Sequence, residues 1–296
     1  MSAGAAAART SAAHPPPVAI LCGQGEFPLR AAQCVVAAGR PVLLVGIRGV
    51  AGPGIEAFPH VWFGLGELGG FLEALRQRGI RHLAIAGGMT RPAFSDLRLD
   101  FGGLKKLPEI AGMFLGGDNH LLAGFLKILE REGLTIVGVQ EIAPGLLAPS
   151  GLLTQAAPGK DARQDIGLGR AFIAAASPFD VGQAVIVHAG RVLAVEAAEG
   201  TDAMIARVTQ MRREGRLRLK GRAGVLVKAP KRGQDLRIDL PAVGPRTIAL
   251  CAEAELEGLS LAAGQVLMLD RAELAAQADR AGLFLHGHDP AAGGQA

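Results

Sequence analysis

The stretch "VAILCGQGEFPLRAAQCVVAAGRPVLLVGI" (18–47) decides the fold. It opens on a short apolar run, "VAILCG" (18–23), that ends in glycine. "FPLRAAQCVVAAG" (27–39) follows with apolar residues at helical spacing and a glycine stop, and "PVLLVGI" (41–47) is again strand-like. The same unit recurs downstream. "HVWFGLG" (60–66) precedes a helix through "GGFLEALRQRG" (69–79), and "RHLAIAGG" (81–88) repeats the strand-then-glycine pattern. A helix through "NHLLAGFLKILEREG" (119–133) leads into a strand at "LTIVGV" (134–139). Short, continuously apolar strands separated by helices predict a parallel sheet covered on both faces. The fold class is therefore α/β, with a Rossmann-like, doubly wound N-terminal domain.

Around "EIAPGLLAPSGLLTQAAPGKD" (141–161) the alternation stops and prolines and glycines thicken, which marks a domain boundary. A helix at "DARQDIGLGRAFIAAAS" (161–177) is followed by "QAVIVHAGRVLAVEA" (183–197), two apolar runs joined at "HAGR" as a hairpin. Then come a helix from Thr201, a strand at "AGVLVKAP" (223–230), and a helix, strand, helix and final short strand. The expected organisation is a disordered extension (1–16), the Rossmann-like domain (17–146), a distinct mixed α/β C-terminal domain (149–287) and a disordered tail (288–296).

Composition narrows the classes of function. The chain has 296 residues, 49% of them apolar and 20% charged, as in ordinary globular proteins. With no tyrosine and Trp62 as the one tryptophan, it lacks aromatic platforms for single-stranded nucleic acid, and no nucleic-acid partner is expected. The net charge is +4, and the cations are unevenly spread, "RREGRLRLKGRAGVLVKAPKR" (212–232) holding a large share of them. That segment reads either as a solvated basic face or as an attractor for a phosphorylated ligand or an anionic membrane. Cys22, Cys34 and Cys251 lie far apart with no CxxC, which suits a reducing cytosol. The N-terminal segment has no apolar core of a signal peptide, and no run of about 18 apolar residues predicts a transmembrane helix.

Three glycine turns follow predicted strands. "LCGQGEFP" (21–28) puts Gly23, Gln24 and Gly25 between the first strand and first helix, where backbone N–H groups stabilise an anion. "FGLGELGG" (63–70), with Gly64, Leu65 and Gly66, and "AGGMTRP" (86–92), with Gly87 and Arg91, occupy equivalent positions. Turns at the carboxyl ends of strands in one sheet are expected to converge on one crevice. Arg91 would grip a phosphate there or form a surface ion pair. Read singly, each turn is equally a tight turn with no ligand. The dinucleotide fingerprint is weak, because Pro28 replaces the third glycine and an arginine, not an acid, ends the second strand.

In the second half, "VEAAEGTDAMIARV" (195–208) sets Gly200, Thr201 and Asp202 between a strand and a helix. Asp202 reads as a helix-start carboxylate, or else as an acceptor for ligand hydroxyls or a metal ligand. "VLVKAPKRGQDLRIDLPAVG" (225–244) is the most unusual segment. Lys228, Lys231 and Arg232 lie in a loop punctuated by proline and glycine, either solvated or leaning over a cleft. Asp235, beside Gly233 and Gln234, reads as a turn residue. Asp239, inside "RIDLP", has apolar neighbours and needs a cation or a metal as partner. The histidines (His14, His60, His82, His120, His188, His286 and His288) show no HxxxH or HExxH spacing, and no GxSxG is present. A hydrolase built on this chain would use oxygen-ligated Mg²⁺ or Mn²⁺.

Together these segments resemble the metal-dependent UDP-2,3-diacylglucosamine pyrophosphatases of lipid A biosynthesis found in α-proteobacteria. The likeness runs from about Val18 to His286. It rests on "AAGRPVLLVGIRG", "WFGLGELGG", "DVGQAVIV", "AVEAAEGTDAMIARV" and "GVLVKAPKRGQDLRIDLPAVG", of which the last two are long enough to be specific. The chain departs from the family's pattern at Gly88-Met89 and at Gly117-Asp118-Asn119. The resemblance implies a substrate held between a Rossmann-like domain and a distinct C-terminal domain. It also implies Mg²⁺-dependent hydrolysis of UDP-2,3-diacylglucosamine to 2,3-diacylglucosamine 1-phosphate and UMP, with Asp239 essential for catalysis. On that footing Asp239 and Asp202 are the expected metal ligands. Lys228 and Lys231 or Arg232 would meet the phosphates, and Gln183, Gly200, Thr201 and Asp202 the diphosphate–sugar region. The glycine turns would approach the nucleotide.

Because the substrate carries two acyl chains, a cytoplasmic protein in peripheral contact with the inner face of the inner membrane is expected. A homodimer is left open. Two other classes stand beside this reading: a non-catalytic nucleotide or nucleotide-sugar binding regulator, and a nicotinamide oxidoreductase.

Overall fold

The structure, a computed structural model, describes residues 15–88, 100 and 118–291. The chain divides into two compact units, Met1–Ile136 and Val137–Ala296. Arg91 and Met89 lie outside the described residues, as does the N-terminal extension apart from Pro15 and Pro16.

In the first unit, β1 (Val18–Cys22), β2 (Val42–Ile47), β3 (His60–Phe63), β4 (His82–Ala86) and β5 (Thr135–Ile136) alternate with helices. The helices are α1 (Phe27–Ala37), α2 (Leu68–Gln77) and α3 (Asp118–Arg131). The sheet order is β3-β2-β1-β4-β5 with every pairing parallel, the doubly wound arrangement. β1 and β2 are buried along their whole length, as strands covered on both faces must be. α1 buries Pro28, Ala31, Ala32 and Val35, whose spacing puts them on one face against the sheet. The strand expected over 134–139 is shorter. β5 holds only Thr135 and Ile136, because the Gly138 N–H donates to Glu141 Oε1 at 2.7 Å and opens the short helix α4 (Val139–Ile142).

The second unit is built on a six-stranded mixed sheet of order β6-β13-β11-β9-β7-β8. Its strands are β6 (Gly151–Leu152), β7 (Ala184–His188), β8 (Arg191–Val195), β9 (Val225–Lys228), β11 (Gly258–Ala262) and β13 (Phe284–His288). β9, β11 and β13 run parallel, whereas β7 and β8 form the predicted antiparallel hairpin. A further parallel pair, β10 (Ala242–Val243) and β12 (Leu267–Met268), was not expected from the sequence. Alternate strand residues face opposite layers. Val185, Val187, Val225 and Val227 pack under α5 (Lys160–Ala176) with Ala162, Ile166 and Ile173. Ile186, Leu226 and Leu259 face the other way, toward α6 (Gly200–Arg213), α7 (Pro245–Glu253) and α8 (Arg271–Arg280). This α/β/α sandwich puts the core on both sides of one sheet.

Two features of α5 fix it to the sheet. Gly169 lets the helix approach, since a Cβ there would stand 2.7 Å from Val227 Cγ2. Asp165, 2% exposed, accepts the backbone N–H of Ala189 at 2.9 Å and of Gly190 at 2.8 Å, which form the hairpin turn. Ala189 has φ +49°, a left-handed conformation that side-chain-bearing residues seldom adopt without such support. All three cysteines are free thiols. Cys22 and Cys251 are fully buried, and burial pushes the Cys22 thiol up to about 12 and the Cys251 thiol up as well.

Candidate active site

At one end of the second sheet three distant segments meet by register. Ala184 pairs with Lys228, and Val185 pairs with both Val195 and Val227. The ladder continues past the strands: Glu196 N donates to Ala184 O, Gly182 N to Glu196 O, and Ala229 N to Gln183 O. Gln183, Glu196 and Lys228 thus share one sheet end, with Thr201 in the first turn of α6 beside them.

The side chains form a hydrogen-bonded chain. Lys228, 5% exposed, donates from Nζ to Thr201 Oγ1 at 2.5 Å, and Thr201 donates to Glu196 Oε1 at 2.8 Å. Glu196 Oε2 accepts the Gln183 backbone N–H at 2.9 Å and lies 3.9 Å from Lys228 Nζ. The Gln183 side-chain amide donates to Asp239 Oδ2 at 3.0 Å. Burial pulls the Lys228 ammonium below its ordinary lysine range, opposed by the carboxylates of Glu196, Asp202 and Asp239. Among the described residues the Thr201 hydroxyl is the single hydrogen-bond acceptor of this ammonium, which leaves two of its three hydrogens without one. Among the described residues Asp239 likewise keeps one carboxylate oxygen without a donor.

The predicted residues separate into groups. Gln183, Thr201, Lys228 and Asp239 come together as described. Gly200 and Thr201 belong to α6 itself, and Asp202 makes no capping hydrogen bond; it pairs with the exposed Arg246 at 2.9 Å. Lys231 forms an ion pair with Asp180, and the Arg232 backbone N–H donates to Ser177 Oγ at 2.8 Å. Asp235 is the expected turn residue. It accepts the Arg237 backbone N–H at 3.0 Å, and the Arg237 guanidinium holds its carboxyl below the usual range. Among the described residues Asp239 meets the Gln183 amide. Glu196, central to the cluster, was missed from sequence: in "VEAAEGTD" nothing local distinguishes it from Glu199.

In the first unit Gly23 and Gly87 serve each other. The two turns form a bridge, Gln24 N donating to Gly88 O at 2.6 Å and Gly88 N to Gln24 O at 3.1 Å. A Cβ on Gly23 would stand 2.4 Å from Gly88 O, and one on Gly87, whose φ is +91°, 2.6 Å from Gln24 O. A Cβ on Gly25 would meet nothing within 4 Å among the described residues. The turn with Gly64, Leu65 and Gly66 is tied instead to the end of β2. Glu67 accepts the Gly64 N–H at 2.9 Å and pairs with Arg48 at 2.8 Å. The backbone N–H groups of Gly69 and Gly70 in α2 donate to the Asp100 carboxylate at 3.1 and 2.8 Å, so a protein carboxylate fills that anion position.

Fold and site together define a two-unit α/β protein of known kind. Residues 17–146 match the LpxI N-terminal domain and residues 149–286 the LpxI C-terminal domain. The chain belongs to the LpxI family. It is 39% identical over 271 residues to the UDP-2,3-diacylglucosamine pyrophosphatase LpxI of Caulobacter vibrioides, a span that covers 92% of this chain and 97% of that protein.

Proposed function

We propose that this protein hydrolyses the pyrophosphate bond of UDP-2,3-diacylglucosamine, giving 2,3-diacylglucosamine 1-phosphate and UMP, in lipid A biosynthesis and with Mg²⁺ or Mn²⁺ as cofactor. The named relative supports the substrate. The observation that carries the chemistry is a buried ammonium with unused hydrogens, linked through Thr201, Glu196 and Gln183 to Asp239.

Among the described residues no three His, Cys, Asp or Glu side chains converge as a metal cage. Mg²⁺ in phosphoryl-transfer sites needs only one or two carboxylates besides the substrate phosphates, and the donors here suit that mode. Among the described residues one Asp239 oxygen has no donor, and the partner of Asp202 is a solvent-exposed arginine that a cation could replace. When bound, such an ion neutralises charge on the phosphoryl oxygens and acidifies a coordinated water. Asp239 then orients the attacking water and accepts its proton, held in place by the Gln183 amide. Lys228 donates to a phosphate oxygen and offsets the negative charge that grows there as the bond to the bridging oxygen breaks.

Asp239→Ala is expected to fold, bind substrate and lose at least about a hundredfold in kcat. Substantial UMP release by the metal-replete variant would refute the assignment, and mass spectrometry of lipid co-purified with it identifies the ligand. UMP release by the unaltered protein separates hydrolysis from mere nucleotide binding. Labelling in ¹⁸O-water shows which phosphorus is attacked.

Contact with an anionic membrane face belongs to the same proposal. Much of the basic segment is neutralised within the fold, with Arg212 on Glu255, Arg213 on Glu253 and Arg216 on Glu214. Arg218, Lys220 and Arg232 have no acidic partner among the described residues and remain for lipid headgroups. Flotation with anionic vesicles is expected at low salt and lost at high salt. Equal flotation with neutral vesicles would remove the electrostatic part.

A further inference from the structure

Among the described residues Glu196 is the one side chain that reaches Lys228, Thr201 and Gln183 alike. Its own side chain is 13% exposed, and its backbone closes the ladder beyond β7 and β8 on both sides. Because the Thr201 proton is committed to Glu196, the Thr201 oxygen presents a lone pair to Lys228. The chain therefore has a direction, Lys228 to Thr201 to Glu196, and the ammonium's remaining hydrogens point elsewhere. The other carboxylate oxygen pins the backbone of Gln183, whose side chain aims at Asp239.

We propose that Glu196 is a positioning residue: through Thr201 and Gln183 it sets the Lys228 ammonium and the Asp239 carboxylate for a pyrophosphate group. Its part in turnover rests on the function proposed above; its part in binding does not. Glu196 touches no reacting atom. Its charge favours the protonated form of Lys228 where burial disfavours it, and through Thr201 it fixes where that ammonium lies.

The test uses the full chain, with calorimetric affinity for inorganic pyrophosphate and kcat for UDP-2,3-diacylglucosamine as separate readouts. Glu196→Gln is expected to melt within a few degrees of the unaltered chain. It should bind pyrophosphate about tenfold more weakly and turn over at least about tenfold more slowly. Glu196→Asp, which keeps the carboxylate, should recover roughly threefold of each loss. In a Lys228→Met background the Glu196→Gln change should alter affinity by less than about threefold, since the cation through which it acts on a bound anion is gone. Thr201→Val cuts the same chain one link on and gives the same pattern, which serves if Glu196→Gln does not fold. Additive losses, unchanged affinity in Glu196→Gln, or an unaltered protein that binds no pyrophosphate overturns the proposal. An unaltered protein that binds pyrophosphate but releases no UMP overturns the functional reading alone.

Discussion

Asp235 and Asp239 occupy one turn, yet their partners differ in kind. Arg237 fully engages the first, and the Gln183 amide takes a single oxygen of the second. Sequence separated these two aspartates because turn chemistry around Asp235 is local. It could not supply the partner of Asp239, which lies across the fold. His288 shows the same limit. It ends β13, is 5% exposed, and its Nδ1 shares a hydrogen bond of 2.9 Å with Ser260 Oγ. Burial, with Arg170 and His286 nearby, lowers it to about 4. Between that value and its ordinary 6.5 the unfolded chain binds more protons than the folded one. Stability from this group is therefore complete above pH 6.5 and is lost toward pH 4, by about 1.4 kcal/mol per pH unit at most. Urea unfolding of the unaltered chain should weaken across this window more steeply than that of His288→Gln; parallel curves would refute the attribution.

At the scale of elements, the hairpin was legible because "HAGR" separates two apolar runs and Gly190 takes a left-handed turn without strain. Its anchor was not. Asp165 sits among Ala162, Ile166 and Gly169 on the buried stripe of α5, and only the folded chain shows what it holds. Asp165→Ala releases two charge-assisted hydrogen bonds and frees Ala189 from its strained φ, and should cost about 1–3 kcal/mol. Denaturant titration measures it, and a loss below about 0.5 kcal/mol would show that the turn holds itself. Helix starts were placed within a residue or two, as with α2 and α6, because caps are weak here. Neither makes a side-chain capping bond.

For the whole molecule, the doubly wound sheet was readable because each strand–helix unit announces itself locally. The way the site residues connect was not, because it arises from register among segments near 183, 196, 228 and 239. Each unit has its own buried core, so calorimetry should resolve two transitions. Gly23→Ala, which forces a Cβ against Gly88 O, should lower one of them, and Asp165→Ala the other. A single transition moved by both changes would mean that the units melt as one. The cysteines offer a way to watch this without heating. Cys22 lies in the central strand of the first sheet and Cys251 in a helix of the second unit, both sealed and held as thiols, whereas Cys34 on α1 is partly open. A brief pulse of alkylating reagent would mark Cys34 first. Every later adduct, located by peptide mapping, would time-stamp the opening of one half of the protein or the other.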